Sequence, residues 1–297
     1  MPKKEEHFIN KLDKPGFIES KFAISDKIVK TSTNGNQYLD VTLTDKTGQF
    51  DGRIFHDVDE IYEKINVGSV CLVKGKIDEF PPGSGRFNMV IKSIIELKET
   101  DYKNEDFKRV SVNDVNISLE FITSTIAAVK NQDLKNLLNA FFSDERFLNE
   151  FSKAPAAIVH HHNYEGGLLD HTVEVLKLSK TTTELFPDLD KDLLYTGVLL
   201  HDLGKMETYT YGNGIIGYSE EGDMLDHIYL SCEMVKEKID LLETPRELSI
   251  KIFHMILSHH GAVSLGWGSS VDPKTPEALA LHYADNLDAK VKKSLHS

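Results

Sequence analysis

Apolar and polar positions change their rhythm once along this chain, a little beyond residue 110. Before that point Gln37–Thr44 alternates, with Leu39, Val41 and Leu43 on one face and Tyr38, Asp40 and Thr42 on the other, the period of a half-buried strand. Asp45-Lys-Thr-Gly48 reads as a turn and Gln49–Phe55 as the returning strand. Residues 70–80 and 86–97 form a second pair across the loop Pro81-Pro-Gly-Ser-Gly85. A strand at 17–30 stands in front, and Ile61–Ile65 predicts a short helix between strands three and four. That is the element order of an OB-fold barrel, expected over residues 15–98 behind an N-terminal tail at 1–14. The polar segment 99–117 reads as a linker.

From Ser118 the period lengthens to three and four. Leu119, Ile122, Ile126 and Val129 recur at helical spacing, as do Leu134, Leu137, Leu138 and Phe141, and then Leu169, Val173, Leu176 and Leu178. The apolar runs 191–203, 224–241, 246–258 and 276–291 follow suit. The expected fold is therefore two-domain, an all-β barrel followed by an all-α helical bundle over residues 118–297.

Composition narrows the classes. The 297 residues are 40% hydrophobic and 27% charged, which excludes disordered and fibrous chains. No run reaches the ~18 apolar residues that span a bilayer, and no apolar segment follows Met1-Pro-Lys-Lys-Glu-Glu. Cys71 and Cys232 lie far apart without metal-type spacing, so a cytoplasmic chain with reduced thiols is expected. The net charge of −13 divides unevenly: residues 1–110 sum to −1 and residues 111–297 to −12, with eleven of thirteen histidines in the second part. Asp, Glu and His together are what a divalent-metal site draws on; a solvated acidic surface is the competing account.

The chemistry sits in five helical segments, Gly166-Gly-Leu-Leu-Asp-His171, Leu199-Leu-His-Asp-Leu-Gly-Lys205, Asp226-His227, Ser258-His-His-Gly261 and Ala284-Asp-Asn-Leu-Asp288. Adjacent helical residues diverge by ~100°. At a helix end, however, His201 and Asp202 can turn to one point, with Gly204 placed as the C-terminal cap. Each histidine alone reads as a core or surface residue. Together His171, His201, Asp202, His227, His259, His260 and Asp285 supply nitrogen and oxygen donors for two divalent ions sharing one carboxylate, suited to Mn, Fe, Co or Zn. Lys205, three positions after Asp202, reads as a phosphate binder or leaving-group acid, or else as a solvated lysine complementing a helix dipole. His160-His-His162 reads equally as channel lining, as support for the ligands or as surface. His282 reads as support and His254 as packing. In the barrel, Tyr38, Arg53 and Phe55 face away from the Leu39 side and are candidates to stack bases and meet phosphate, with Lys74, Lys76 and Arg86 adding charge; packed strand-surface aromatics are the alternative.

The pattern His171, His201-Asp202, Asp285 resembles the HD-domain metal-dependent phosphohydrolases, and His227 with His259-His260 resembles their two-metal members. An OB-fold followed by Gly166-Gly-Leu-Leu-Asp-His-Thr172, Leu200-His-Asp-Leu-Gly-Lys205, His259-His-Gly261 and His282-Tyr-Ala-Asp-Asn-Leu-Asp-Ala-Lys290 resembles the YhaM family of 3′–5′ exoribonucleases, over residues 15–291. The resemblance implies Asp202 bridging two divalent ions, manganese first among the candidates. His171, His201 and Asp285 would hold one ion, and His227, His259 and His260 the other. It further implies a metal-activated water that cuts the terminal phosphodiester of single-stranded RNA or single-stranded DNA, with Asp202 and Lys205 catalytic and nucleoside 5′-monophosphates released. Self-association into a homo-oligomer stays open. So do an HD-domain nucleotide or cyclic-dinucleotide phosphohydrolase and a non-catalytic OB-fold nucleic-acid-binding protein. The cyclic-dinucleotide class carries Gly-Tyr-Pro after its double histidine, whereas Gly261-Ala-Val263 follows here.

Overall fold

The computed structural model describes residues 2–158, 162–211 and 216–295. It divides into two compact units, residues 1–110 with 211–217, and residues 111–210 with 218–297. The division falls between Val110 and Ser111, inside the segment expected as a linker.

In the first unit, strands β1 (Gly16–Thr31), β2 (Gln37–Asp45), β3 (Gly48–Ile54), β4 (Val70–Glu79) and β5 (Phe87–Glu96) close into a barrel of order β1-β2-β3-β5-β4. The long first strand makes closure possible. Its first half pairs with β4, from Gly16 opposite Ile77 to Ala23 opposite Val70, and its second half pairs with β2. Between them the register shifts at Ile24/Asp26, a bulge that bends the strand from one neighbour to the other. Short parallel pairing of Gly52 with Met89 and Arg53 with Val90 completes the circle. The alternation read from the sequence sets the core: Leu39, Val41, Leu43 and Ile54 point inward with Phe22, Ile24, Val73 and Met89, all buried. Helix α1 (Val58–Lys64) lays Val58, Ile61 and Tyr62 against that core.

The N-terminal segment expected as a tail is part of this unit. Phe8, Ile9 and Leu12 are buried. The buried Asp45 carboxylate accepts from the Ile9 N–H at 2.9 Å and meets the Lys3 ammonium at 2.5 Å. Alternation cannot show this, because the attachment depends on a polar contact made across more than thirty residues.

The second unit is helical: α2 (Val115–Ala128), α3 (Gln132–Phe142), α4 (Glu145–Phe151), α5 (Gly167–Leu185), α6 (Lys191–Leu200), α7 (Lys205–Thr208), α8 (Glu220–Leu241), α9 (Arg246–Ser258) and α10 (Pro276–Leu295). Side-chain caps start several of them: Asp114, Asn131, Asp144, Asp190 and Ser219 each accept from a backbone N–H of the following turn. Helices α5, α6, α9 and α10 pack on one another around Leu168, Leu176, Leu194, Leu200, Ile252, Ile256 and Leu281, all buried. Among the described residues no helix is long and apolar enough to cross a membrane. Cys71 and Cys232 are free thiols whose burial pushes each up to about 11.

Candidate metal centre

The C-terminal ends of α6 and α9 and the sides of α5, α8 and α10 bring the predicted ligands together. His171 lies on α5, whose first turn is reached through Gly166 at φ 86°. His201 caps the C-terminus of α6, and Asp202 follows in the turn leading to α7. His259 caps α9, with His260 next to it. His227 sits in α8 just after a break in the helix. Asp226 there has φ 65° and ψ 153°, a region almost confined to glycine that costs ~1–3 kcal/mol. Its carboxylate accepts from the Ile228 N–H at 3.0 Å and lies 2.8 Å from His227 Nδ1. The break therefore aims the imidazole.

Asp202 is the hub, buried with its two oxygens facing different partners. Oδ2 lies 3.4 Å from His171 Nε2, 3.3 Å from His201 Nε2 and 2.7 Å from Lys205 Nζ. Oδ1 lies 3.5 Å from both His227 Nε2 and His259 Nε2. Asp285 Oδ1 stands 3.2 Å from His171 Nε2. The donor atoms of His171, His201 and Asp202 fall within 4.8 Å of one another, and so do those of His227, His259 and His260.

The other ring nitrogen of each histidine shows what these donors are prepared for. Nδ1 of His201 faces the Val198 carbonyl at 2.8 Å, that of His259 the Ile256 carbonyl at 2.6 Å, and that of His260 the Trp267 carbonyl. His171 Nδ1 faces Asp288 at 2.7 Å. Carbonyls only accept, so Nδ1 of His201, His259 and His260 carries the proton and their Nε2 lone pairs are left for a cation. Nε2 of His201, His227 and His259 and Oδ1 of Asp202 are buried with no hydrogen-bond partner among the described residues. Burial, then the neighbouring His260 and His201, holds His259 well below the usual imidazole range, so at neutral pH its lone pair confronts the Asp202 oxygens. Such an arrangement is costly when empty of positive charge, and nitrogen-plus-carboxylate donors fit a borderline divalent ion.

Lys205 is buried in this cluster rather than solvated at a helix end. Burial opposes its charge, but Asp202 outweighs it and raises the ammonium above the usual lysine range. Gly204, expected as a C-terminal cap, has ordinary right-handed dihedrals, φ −59° and ψ −18°. It is needed for space: a methyl there would lie 2.3 Å from the His227 carbonyl oxygen and 2.4 Å from the Ser231 nitrogen. Gly204 thus sets how closely α8 approaches the His201-Asp202 turn.

Behind the ligands stands a polar relay that periodicity did not reveal. Asp288 holds His171, and the same Oδ2 lies 3.0 Å from His162 Nε2, with Glu174 Oε2 3.2 Å from that nitrogen. His162 Nδ1 meets the Tyr164 hydroxyl at 3.0 Å, and that hydroxyl donates to Asp170 at 2.9 Å. His162 therefore supports the ligands; His160 and His161 lie outside the described residues. The signal for Asp288 was its place three residues after Asp285, one turn along α10. His282 Nδ1 faces the His259 carbonyl at 2.9 Å, while His254 Nε2 accepts from the Lys274 N–H.

On the barrel, Tyr38 and Phe55 come together with ring centroids 5.5 Å apart. The Arg53 guanidinium lies 5.9 Å from the Tyr38 ring and 5.3 Å from that of Phe80. Phe55 and Phe80 are 55% and 54% exposed, too open to be packing residues. Phe80, just beyond β4 and before Pro81, was not singled out from the sequence. Arg53 also approaches Asp40 at 3.5 Å, and Lys74 and Lys76 pair with Glu19 and Asp78.

Comparison with known proteins agrees with both units. Residues 168–290 match the family model described as HD domain, and residues 23–97 match that of an OB-fold nucleic acid binding domain. Among solved structures, the mitochondrial single-stranded DNA binding protein Rim1 of S. cerevisiae is 18% identical, covering 29% of this chain and 94% of its own, with a TM-score of 0.24. The HD domain of the L. monocytogenes phosphodiesterase PgpH is 19% identical, covering 41% and 67%, with a TM-score of 0.30. Each unit thus matches a family model of its own, an OB-fold nucleic acid binding domain in the first and an HD domain in the second.

Proposed function

We propose that this protein is a metal-dependent 3′–5′ exoribonuclease that shortens single-stranded RNA to nucleoside 5′-monophosphates. The observation that carries the reading is Asp202, whose two oxygens face two separate sets of imidazole nitrogens in a chain that also has an OB-fold. His171, His201 and Asp285 would hold one ion and His227, His259 and His260 a second, with Asp202 shared between them and manganese the first candidate. Bound there, such ions supply an acidified water and a counter-charge for the phosphoryl oxygens.

The protein's own groups do the rest. Backbone carbonyls keep His201 and His259 in the tautomer that exposes Nε2, and Asp288 holds His171. Lys205, 2.7 Å from Asp202, would meet the phosphate with positive charge or give a proton to the leaving group. Tyr38, Phe55 and Phe80 stack bases, each worth ~1–3 kcal/mol, and Arg53 meets the backbone. The OB-fold and the complete ligand set argue together against a small-nucleotide hydrolase and against a non-catalytic scaffold.

The test is product analysis on 5′-labelled single-stranded RNA with Mn²⁺, beside Asp202→Ala. A descending ladder with 5′-monophosphates, absent in the variant, is expected. Intact RNA overturns the reading, and stoichiometric bound metal in that case points to small nucleotides as substrate.

A further inference from the structure

The metal centre does not end at its ligands. A cleft of about 390 Å³ is lined by Lys205, His260 and Asp285 together with Trp267, Lys290 and Lys293. That volume is at the lower end of the ~300–1,000 Å³ of small-molecule sites, room for one nucleotide rather than a length of chain. We propose that this cleft is a nucleoside-monophosphate subsite, in which the base lies on the Trp267 indole and the phosphate is gripped by Lys290 between base and metal centre. The inference rests on the function proposed above and names where the terminal nucleotide sits.

Four observations support it. Trp267 is 44% exposed although it is the largest apolar side chain the sequence can offer, and Gly266 and Gly268 flank it at φ 69° and 104°, so a tight turn displays the ring. Its carbonyl takes the Nδ1–H of His260, which ties the turn that carries the indole to a predicted ligand. Lys290 Nζ lies over the indole, 4.7 Å from its centroid, so a cation and an aromatic ring that could serve a phosphate and its base meet at one point of the cleft. Asn286, Lys290 and Lys293 recur at spacings of four and three along α10 and all line the cleft, in a part of the chain whose balance is strongly negative. Lysines gathered there against the prevailing charge point to an anionic occupant.

Trp267 is the single tryptophan of the chain, so its fluorescence reports on the cleft without turnover. Uridine and adenosine 5′-monophosphates are titrated into the full-length protein at fixed Mn²⁺, with ribose 5-phosphate and uridine 5′-triphosphate as comparison arms. Saturable quenching by both monophosphates is expected, together with competition but no quenching by ribose 5-phosphate. Lys290→Gln, an exposed change on α10 whose fold is checked by circular dichroism, should weaken binding by about tenfold or more. No quenching, or equal affinity in Lys290→Gln, overturns the proposal. Degraded RNA without quenching removes the subsite and leaves the exoribonuclease reading standing. Quenching with RNA left intact keeps the subsite and removes that reading. Monophosphate binding tighter than triphosphate identifies an RNA end as the source; the reverse identifies free nucleotides.

Discussion

Replacing Gly204 by alanine sets two physical rules against each other. The residue has ordinary right-handed dihedrals, so the backbone rule alone has alanine stabilising the protein by ~0.4–1 kcal/mol through the unfolded state. The packing says the opposite. The new methyl would stand 2.3 Å from the His227 oxygen, 2.4 Å from the Ser231 nitrogen and 2.9 Å from the Leu230 carbonyl carbon, where ordinary contact begins near 3.4 Å. All three are backbone atoms, so α8 must retreat by about 1 Å, at an overpacking cost of ~1–3 kcal/mol. The 2.8 Å hydrogen bond from the Gly204 N–H to Ser231 Oγ weakens as well, adding about 1 kcal/mol. The contact term therefore exceeds the backbone gain, and the melting temperature should fall by roughly 3–10 °C at ~2–4 °C per kcal/mol. The same retreat carries His227 away from Asp202, and metal sites tolerate only ~0.2 Å, so binding on the His227 side should weaken at least about tenfold. Gly197→Ala is the control: its methyl meets only the Met255 side chain, at 2.1 and 2.8 Å, whose flexible end can move. Thermal unfolding and metal titration read both effects. A Gly204→Ala protein as stable as the parent, with unchanged metal affinity, would refute the role assigned to that contact.

Further expectations follow from other parts of the molecule. Asp288→Asn keeps the shape behind His171 and removes the charge, so metal affinity should drop by about 10–100-fold in calorimetric titration; unchanged affinity would sink the positioning role. Stripping metal with a chelator should lower the melting temperature, because an ion present at 100 times its dissociation constant contributes about 2.7 kcal/mol; an unchanged melting curve counts against a resident ion. Phe55→Ala should weaken binding of single-stranded RNA by ~1–3 kcal/mol in a filter assay at fixed salt, and no effect means the ring is only surface. For Lys3, burial outweighs Asp45 and lowers the folded ammonium to about 8 from 10.5. The unfolded chain therefore binds more protons between these values, and stability rises as pH climbs from 8 to 10.5, by about 3 kcal/mol in all. Denaturant titrations at pH 7.5 and 10 should show this gain relative to Lys3→Met, and a pH-independent difference would remove it.

Local rules carried the reading where neighbours in sequence are neighbours in space. A period of two over Gln37–Thr44 placed Leu39 inside and Tyr38 outside because successive strand side chains must alternate. His201-Asp202 was legible as a site because a helix end lets adjacent residues converge. Local pattern misses the role of Gly204, which reads as a helix cap and in the fold permits a close crossing of α8. Nor could it find the Asp226 break, since nothing in the spacing of α8 announces a backbone held in a rare conformation by its own carboxylate.

The sequence by itself determined the two kinds of element and the inward faces, and it singled out seven candidate donors, because periodicity and residue chemistry are properties of short stretches. Only the tertiary structure decided which oxygen of Asp202 faces which imidazoles, that Asp288 and His162 stand behind His171, and that Trp267 and Lys290 share a cleft with Lys205, His260 and Asp285. His171 and Asp288 are 117 positions apart, and His162 and Asp288 are 126 apart. Contacts at that separation are set by how helices pack, to fractions of an ångström that no local pattern encodes.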